Sequence, residues 1–241
     1  DARKKNRHGL VIAPTGSGKS LVIAEIARSL PGRCVIFQPN QEILEQNAAK
    51  LANFGIKAAI FSASFNSRRI GEVTLATIGS VQRHADLFRE IPFVLVDECH
   101  YVNPKAGMYR SFFSALRSAR ILGLTATPYR LASNSLGSQL RFLTRTRPKV
   151  FSDLVHLTQI GDLFRDGFLC PLIYEQNDLV DSGRLLVNST GADFQDGSVR
   201  RHLREIDFGT KLFRKTTELL DCGASRIVVF TRFVEEAARL A

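Results

Sequence analysis

The sequence predicts an α/β protein built on a parallel, doubly wound sheet. Three observations point to that class. Leu10-Val-Ile-Ala13, Cys34-Val-Ile-Phe37 and Phe93-Val-Leu-Val96 are short, wholly apolar runs, the signature of strands buried on both faces. Segments of helical periodicity alternate with them, as βα units require. Finally, polar or glycine-bearing stretches follow directly on the apolar runs, at the carboxyl ends where such sheets bind ligands.

Taken in order, Leu10–Ala13 reads as the first buried strand and Pro14–Gly18 as a glycine-bearing loop. Lys19–Leu30 has helical periodicity and is closed by Pro31-Gly32, a helix stop. Cys34–Phe37 is the next strand, and Gln41–Phe54 the next helix, ending at Gly55. Ala58–Phe61 and Val73–Thr77 are short strands, and Phe93–Val96 is another. A helical stretch over Gly107–Ser118 precedes a strand over Arg120–Leu124. The segment from Ser152 or Asp153 to Asp166 reads as a capped helix stopped by Gly167. Residues 171–198 are punctuated by Pro171, Gly183, Gly191 and Gly197 and read as an extended connection. Val199–Leu220 is helical, and Arg226-Ile-Val-Val-Phe230 restarts the buried-strand pattern. The expected organisation is therefore a first α/β domain over 1–168, a linker over 169–198 and the start of a second α/β domain over 199–241.

Composition narrows the function classes. The chain has 241 residues, enough for a substantial core, with 44% hydrophobic and 23% charged residues. No apolar run approaches the roughly 20 residues of a membrane span, and no signal-peptide pattern appears. A membrane partner is not expected. The four cysteines form no C-x-x-C pair, which points to a reducing, cytoplasmic setting. Net charge is +10, so a polyanionic partner fits. The chain opens at Asp1 and closes in Phe233–Ala241, a helix-like stretch without a stop signal, and reads as a fragment.

Two stretches carry chemistry. Ala13-Pro-Thr-Gly-Ser-Gly-Lys-Ser20 lies between a strand and a helix. It matches the phosphate-loop pattern with Ala13 in place of the leading glycine. Gly16 and Gly18 let the backbone of Pro14, Thr15 and Ser17 curl so that amides face a phosphate, and the following helix N-terminus adds its positive end. Lys19 reaches outer phosphates and Ser20 offers its hydroxyl to Mg²⁺. The second stretch is Asp97-Glu-Cys-His100, which ends an apolar strand on two acids, a thiol and an imidazole. Zinc is one reading, but adjacent Cys99 and His100 have no second ligand pair nearby. A nucleotide enzyme is the other, and the phosphate loop favours it. Asp97 would then hold Mg²⁺, and Glu98 would orient or deprotonate the attacking water.

Together these residues resemble a superfamily 2 helicase of the DExH-box type. Motif I is Ala13–Ser20, motif II is Asp97–His100 and motif III is Thr125-Ala-Thr-Pro128. Phe37-Gln-Pro-Asn-Gln-Glu-Ile-Leu-Glu-Gln46 looks like motif Ia, Thr77-Ile-Gly-Ser80 like motif Ib, and Ile227-Val-Val-Phe-Thr231 like motif IV. Leu122–Leu131 and Phe164–Pro171 look most like the RadD-type DNA-repair helicases of bacteria and their phage relatives.

The resemblance implies a RecA-like P-loop NTPase domain followed by the start of a second RecA-like domain. It implies ATP and Mg²⁺ as cofactors, with Lys19, Asp97, Glu98 and His100 catalytic. His100 would link the nucleotide site to motif III, a structural histidine being the alternative. Thr125 and Thr127 would couple ATP to nucleic acid, or simply cap a strand end before Pro128. Pro39, Asn40, Thr77, Gly79 and Ser80 would lie along a nucleic-acid backbone, or serve ordinary turn and cap chemistry. Arg68-Arg69 and the Arg141, Arg145, Arg147, Lys149 cluster would attract phosphate or form a solvated basic face. The partner implied is DNA, single-stranded or duplex, with RNA as an alternative, in a bacterial or phage-encoded protein of the cytoplasm. The family's adenine-reading glutamine precedes motif I and its arginine finger follows motif IV, so a second RecA-like domain is needed to complete the ATP site. The activity implied is that of a DNA helicase or translocase in DNA repair or recombination. Its rivals are an RNA helicase, the duplex-translocating subunit of a restriction or remodelling enzyme, and an ATP-switched binding module.

Overall fold

A computed structural model describes residues 8–134, 137–170, 180–188 and 193–238. The chain divides into two compact units, Asp1–Pro171 and Leu172–Ala241.

The first unit follows the alternating pattern. Its elements are β1 (Gly9–Ile12), α1 (Lys19–Ser29), β2 (Cys34–Gln38), α2 (Gln41–Asn53), β3 (Ala58–Ser62), β4 (Ser67–Arg68), β5 (Val73–Thr77), α3 (Ile78–Val81), β6 (Phe93–Val96), α4 (Met108–Ala115), β7 (Arg120–Thr125), β8 (Tyr129–Asn134), β9 (Gly137–Phe142), β10 (Asp153–Leu157) and α5 (Ile160–Arg165). Eight strands form one sheet in the order β10-β1-β7-β6-β2-β5-β3-β4, parallel throughout except for the short β4 at one edge. This is the mixed α/β, RecA-like sheet that the sequence predicts. β1, β7 and β6 are consecutive neighbours, so the three strands that precede the phosphate loop, Thr125 and Asp97 end side by side.

Both faces of the sheet are buried, which is why its strands are uninterrupted apolar runs. Leu10, Ile12, Val35, Phe37, Val94 and Val96 point to one face, where Phe37, Phe112, Phe88 and Phe61 form an edge-to-face chain with successive ring centroids 5.0–5.8 Å apart. Val11, Ile36, Leu75, Leu95 and Leu124 point to the other, under Ile23, Ala24 and Ala27 of α1 and Leu44 and Leu51 of α2. Gly123 sits where Cys99 and Phe151 close over β7. A Cβ there would lie 2.6 Å from both the Cys99 sulfur and a Phe151 ring carbon.

Several expectations are corrected. Residues 153–166 are not one helix. Asp153–Leu157 is a strand, parallel to β1 at the sheet edge, and only Ile160–Arg165 is helical. Leu154, Val155 and Leu157 satisfy either period over so short a run, and the unpaired side of β1 decides for the strand. No strand is expected between Pro128 and Phe151, where β8 and β9 pair antiparallel, Tyr129–Asn134 against Gly137–Phe142. In the second unit, residues 226–230 carry no strand, and Val228 and Phe230 are exposed. A strand needs a hydrogen-bonded neighbour, and none of the described residues supplies one there.

The second unit holds α6 (Asp196–Glu205), α7 (Phe208–Asp221) and α8 (Val234–Ala238). The helical stretch expected over 199–220 is broken at Asp207, whose φ is 49°. Arg232 reaches Asp193 and Asp196, each within 3.1 Å. Of the expected connection over 169–198, residues 171–179 and 189–192 lie outside the described residues, as do 239–241. No helix among the described residues is long and apolar enough to cross a membrane.

The Gly123 contact gives a stability test. Gly123→Ala should destabilise the protein by about 1–3 kcal/mol through overpacking against Phe151 and Cys99. Urea titration checks this, and a midpoint equal to wild type would mean that the sheet yields at β7.

Candidate active site

The phosphate loop begins where β1 ends. The Ala13 amide donates to Thr125 O at 3.0 Å, so the sheet ladder extends into the first loop residue. Beyond it the backbone turns back on itself. The Ser17 amide and hydroxyl both donate to Pro14 O, at 3.2 and 2.6 Å. Gly16 and Gly18 have φ of 84° and 81°, the left-handed region in which a side chain is strained. Gly18 opens α1 without a side-chain cap, and the first turn carries no acid. Leu21 and Val22 are the first amides bonded to the helix ladder, both on Gly18 O, so those of Lys19 and Ser20 lie ahead of it. The loop, Pro14 through Gly18, is thus a cradle of amides at a helix N-terminus, suited to an anion.

Lys19 stands inside this cradle. Its Nζ donates to Ala13 O at 3.2 Å and lies 3.6 Å from Glu98 Oε1. Ser20 receives a hydrogen bond from Lys50 Nζ at 3.3 Å. Lys50 is a site residue that the sequence reading missed. It comes from α2, 30 positions away, and no local pattern marks it.

Asp97 closes β6. Its amide donates to Phe37 O at 3.0 Å, and its Oδ1 accepts the Glu98 amide at 3.0 Å. The side chain is buried. Burial, and then the neighbouring Glu98 charge, push its carboxyl up to about 6; the Glu98 amide, Lys19 and Lys50 pull the other way. A buried carboxylate poised to ionise beside two lysines is a fitting ligand for a divalent cation. With the amide cradle and the Ser20 hydroxyl it makes a donor set that fits Mg²⁺ and a nucleotide phosphate chain.

Glu98 adopts φ 48°, an uncommon conformation for a residue with a side chain, and it turns the chain away from the sheet. Its Oε2 accepts from Thr125 Oγ1 at 3.4 Å and lies 3.3 Å from His100 Nδ1. That nitrogen is also 2.9 Å from Thr125 Oγ1 and 3.0 Å from Thr127 Oγ1. The Thr127 amide donates to Thr125 Oγ1 at 3.0 Å. Glu98, His100, Thr125 and Thr127 therefore form one connected network, with Thr125 fully buried at its centre. Arg130, also missed in the site reading, donates to His100 O at 3.1 Å and fixes that turn from the β8 side.

Cys99 is buried, and burial together with the Glu98 and Asp97 charges raises its thiol well above the usual range. No group of three metal-ligating side chains occurs among the described residues. Cys34 is buried too, whereas Cys170 and Cys222 are exposed.

The expected nucleic-acid residues occupy the same edge of the sheet but not the network. Pro39 and Asn40 follow β2, and Thr77 ends β5, which pairs with β2 through Gln38 and Thr77. Asn40 caps α2 by accepting the Ile43 amide at 2.9 Å. Thr77 and Ser80 share a hydroxyl–hydroxyl bond of 2.9 Å, and Ser80 also accepts the Ala63 amide at 3.0 Å. Gly79 is open to solvent, with nothing within 4 Å of an added Cβ.

A family model described as "Type III restriction enzyme, res subunit" matches residues 1–130. A 51.5 kDa protein of a Lactococcus phage (isolate 7-9) is 27% identical over 203 residues, 83% of this chain and 39% of that protein. A candidate DNA 3′-5′ helicase of Halobacterium salinarum, Rad25, is 32% identical over 128 residues, 51% of this chain and 21% of that protein. Among solved structures, the UvsW helicase of bacteriophage T4 aligns with a TM-score of 0.44 at 23% identity, over 51% of this chain and 48% of that one. The chain spans well under half the length of the two sequence relatives.

The raised Asp97 carboxyl has a measurable consequence. Its folded value of about 6 exceeds the ordinary 3.8, so folding favours the protonated form. That contribution is complete below about pH 4 and is lost as pH rises through 6. Above pH 6 the ionised group costs about 2–3 kcal/mol, a shift of roughly two pH units. Without Mg²⁺ or nucleotide, Asp97→Asn should raise the thermal midpoint at pH 8 and leave it unchanged at pH 4. Equal effects at both values would show that the carboxyl is not desolvated.

Proposed function

Because the chain belongs to the family of the type III restriction enzyme res subunit, a superfamily 2 helicase family, we propose that it is the motor core of an ATP-dependent DNA helicase or translocase. One observation carries the proposal. The Glu98 carboxylate, our candidate general base, shares a hydrogen-bond network with His100, Thr125 and Thr127 at the end of the adjacent strand. A pure phosphate-binding switch does not need that arrangement. A motor does, because hydrolysis must be felt by groups outside the nucleotide site.

The chain's residues divide the work as follows. The amides of the Pro14–Gly18 loop and the Lys19 ammonium hold the phosphates. Ser20 and Asp97 would hold Mg²⁺, with Lys50 beside the Ser20 hydroxyl. Bound ATP and Mg²⁺ supply the phosphoanhydride to be cleaved and neutralise its charge. Glu98 accepts the proton of the attacking water. His100 and Thr125 hold the Glu98 carboxylate at a fixed angle, and Thr127 carries its state to the segment leading into β8. Pro39, Asn40, Thr77, Gly79 and Ser80 grip a nucleic-acid backbone through hydroxyls and helix-start amides, contacts that ignore sequence. A second RecA-like domain, beginning within 199–241 after the linker over 169–198, completes the ATP site and closes on the strand with each cycle.

DNA is the preferred partner. The net charge of +10 suits a polyanion, and the archaeal relative carries a DNA helicase description. Within that reading we place the protein nearest the RadD-type DNA-repair helicases, as a DExH-box enzyme of the cytoplasm. The family description favours a second reading, a duplex translocase that moves without separating strands. A strand-displacement assay with the full-length protein separates the two.

Lys19→Ala should weaken nucleotide binding. Glu98→Gln should bind nucleotide as wild type does but lose about 10²–10⁴-fold in turnover. Wild-type turnover in Glu98→Gln would remove the base assignment. Full-length protein should hydrolyse ATP faster with DNA than with RNA or with no nucleic acid. His100→Ala should cut that stimulation by about 5- to 150-fold while sparing nucleotide binding. A rate indifferent to every nucleic acid would overturn the motor reading.

A further inference from the structure

The edge of the sheet opposite the phosphate loop, where β1 and β7 begin, holds a cavity of about 190 Å³. His8, Arg110, Arg117 and Lys149 line it, with Phe113 and Ile121 among its apolar walls. No acidic side chain lines it. Among the described residues no carboxylate pairs with Arg110 or Lys149. Arg117 meets only Glu90, at 3.5 Å, and both of those side chains are largely exposed. Three cations around one concavity repel one another, and a bound anion removes that cost.

His8 makes this a built feature rather than a loose basic surface. Its carbonyl accepts the Ser152 amide at 2.9 Å and the Ser152 hydroxyl at 3.2 Å, which ties it to the approach to β10. Its Nδ1 accepts the Ile121 amide at 3.2 Å, which ties it to β7. With Nδ1 accepting, the ring proton sits on Nε2, and burial keeps the ring neutral by lowering its pKa. His8 therefore brings to the cavity wall a neutral ring held by two strands, beside three cationic side chains. Arginine forks, a lysine point charge and a neutral imidazole N–H together match a tetrahedral oxyanion with several acceptor oxygens.

We propose that the cavity lined by His8, Arg110, Arg117 and Lys149 is a second phosphate-binding site, separate from the nucleotide loop. Its ligand is a phosphate group, carried by a nucleic-acid backbone or present as a free phosphate. The site does not rest on the motor reading, because it uses none of the nucleotide residues and lies at the other end of β1. Lys149, one of the basic cluster noted in the sequence, lines this cavity with Arg110 and Arg117.

The test follows the His8 imidazole by ¹H–¹⁵N NMR in the 241-residue chain, which has five histidines. Inorganic phosphate should shift the His8 Nε2–H signal saturably, chloride at matched ionic strength should not, and R110Q/K149Q should abolish the response. In parallel, binding of a short single strand and of a duplex is measured against salt. If DNA is the source, R110Q/K149Q lowers the slope of log affinity against log salt by roughly 2 for duplex. An unchanged slope with an intact His8 response assigns the site to free phosphate. A His8 signal indifferent to both phosphate and oligonucleotide overturns the proposal.

Discussion

β7 is hydrogen-bonded to β1 on one side and to β6 on the other, and the rest of the site depends on that double pairing. Register places Ile12 level with Thr125 and Val96 level with Gly123. The phosphate loop, Thr125 and Asp97 therefore emerge from three adjacent strands at nearly the same height. No side-chain contact could hold three loops so closely. The parallel backbone ladder does, and a one-residue slip would exchange the side chains of two differently shaped, close-packed cores, Phe37 for Ile36 and Val96 for Leu95. Phe37, Phe61, Phe88 and Phe112 lock the register from one side, α1 and α2 from the other.

This scaffold supports a site that is locally unfavourable. Asp97 is a buried acid beside a second acid, and Glu98 sits in a left-handed backbone conformation. Lys19 and Lys50 offset part of the charge but keep their own ties, to Ala13 O and to Ser20. The arrangement fits groups waiting for a cation and a polyphosphate, with stability given up at the site and recovered in the core.

Much of this was legible in the sequence, and the reasons are physical. Strands buried on both faces must be apolar runs, so β1, β2 and β6 could be bounded to within a residue or two. A tight anion loop must have glycines, so Gly16 and Gly18 marked it. The Glu98–His100–Thr125 link was anticipated only through resemblance, since nothing local joins position 100 to 125. Lys50 left no trace, because its reach to Ser20 depends on how α2 lies against α1. Asp153–Leu157 was misread because five residues satisfy either period, and an open sheet edge chose between them. The strand pattern at 226–230 was real as composition, but composition does not supply a neighbour to pair with.

The cysteines illustrate a different consequence of burial. Cys34 and Cys99 are shielded, with thiols held in their unreactive form, while Cys170 and Cys222 face solvent, one in each compact unit. A maleimide dye pair would therefore attach at two native positions without any engineering. The two exposed thiols form a built-in fluorescence ruler that reports the distance between the two compact units.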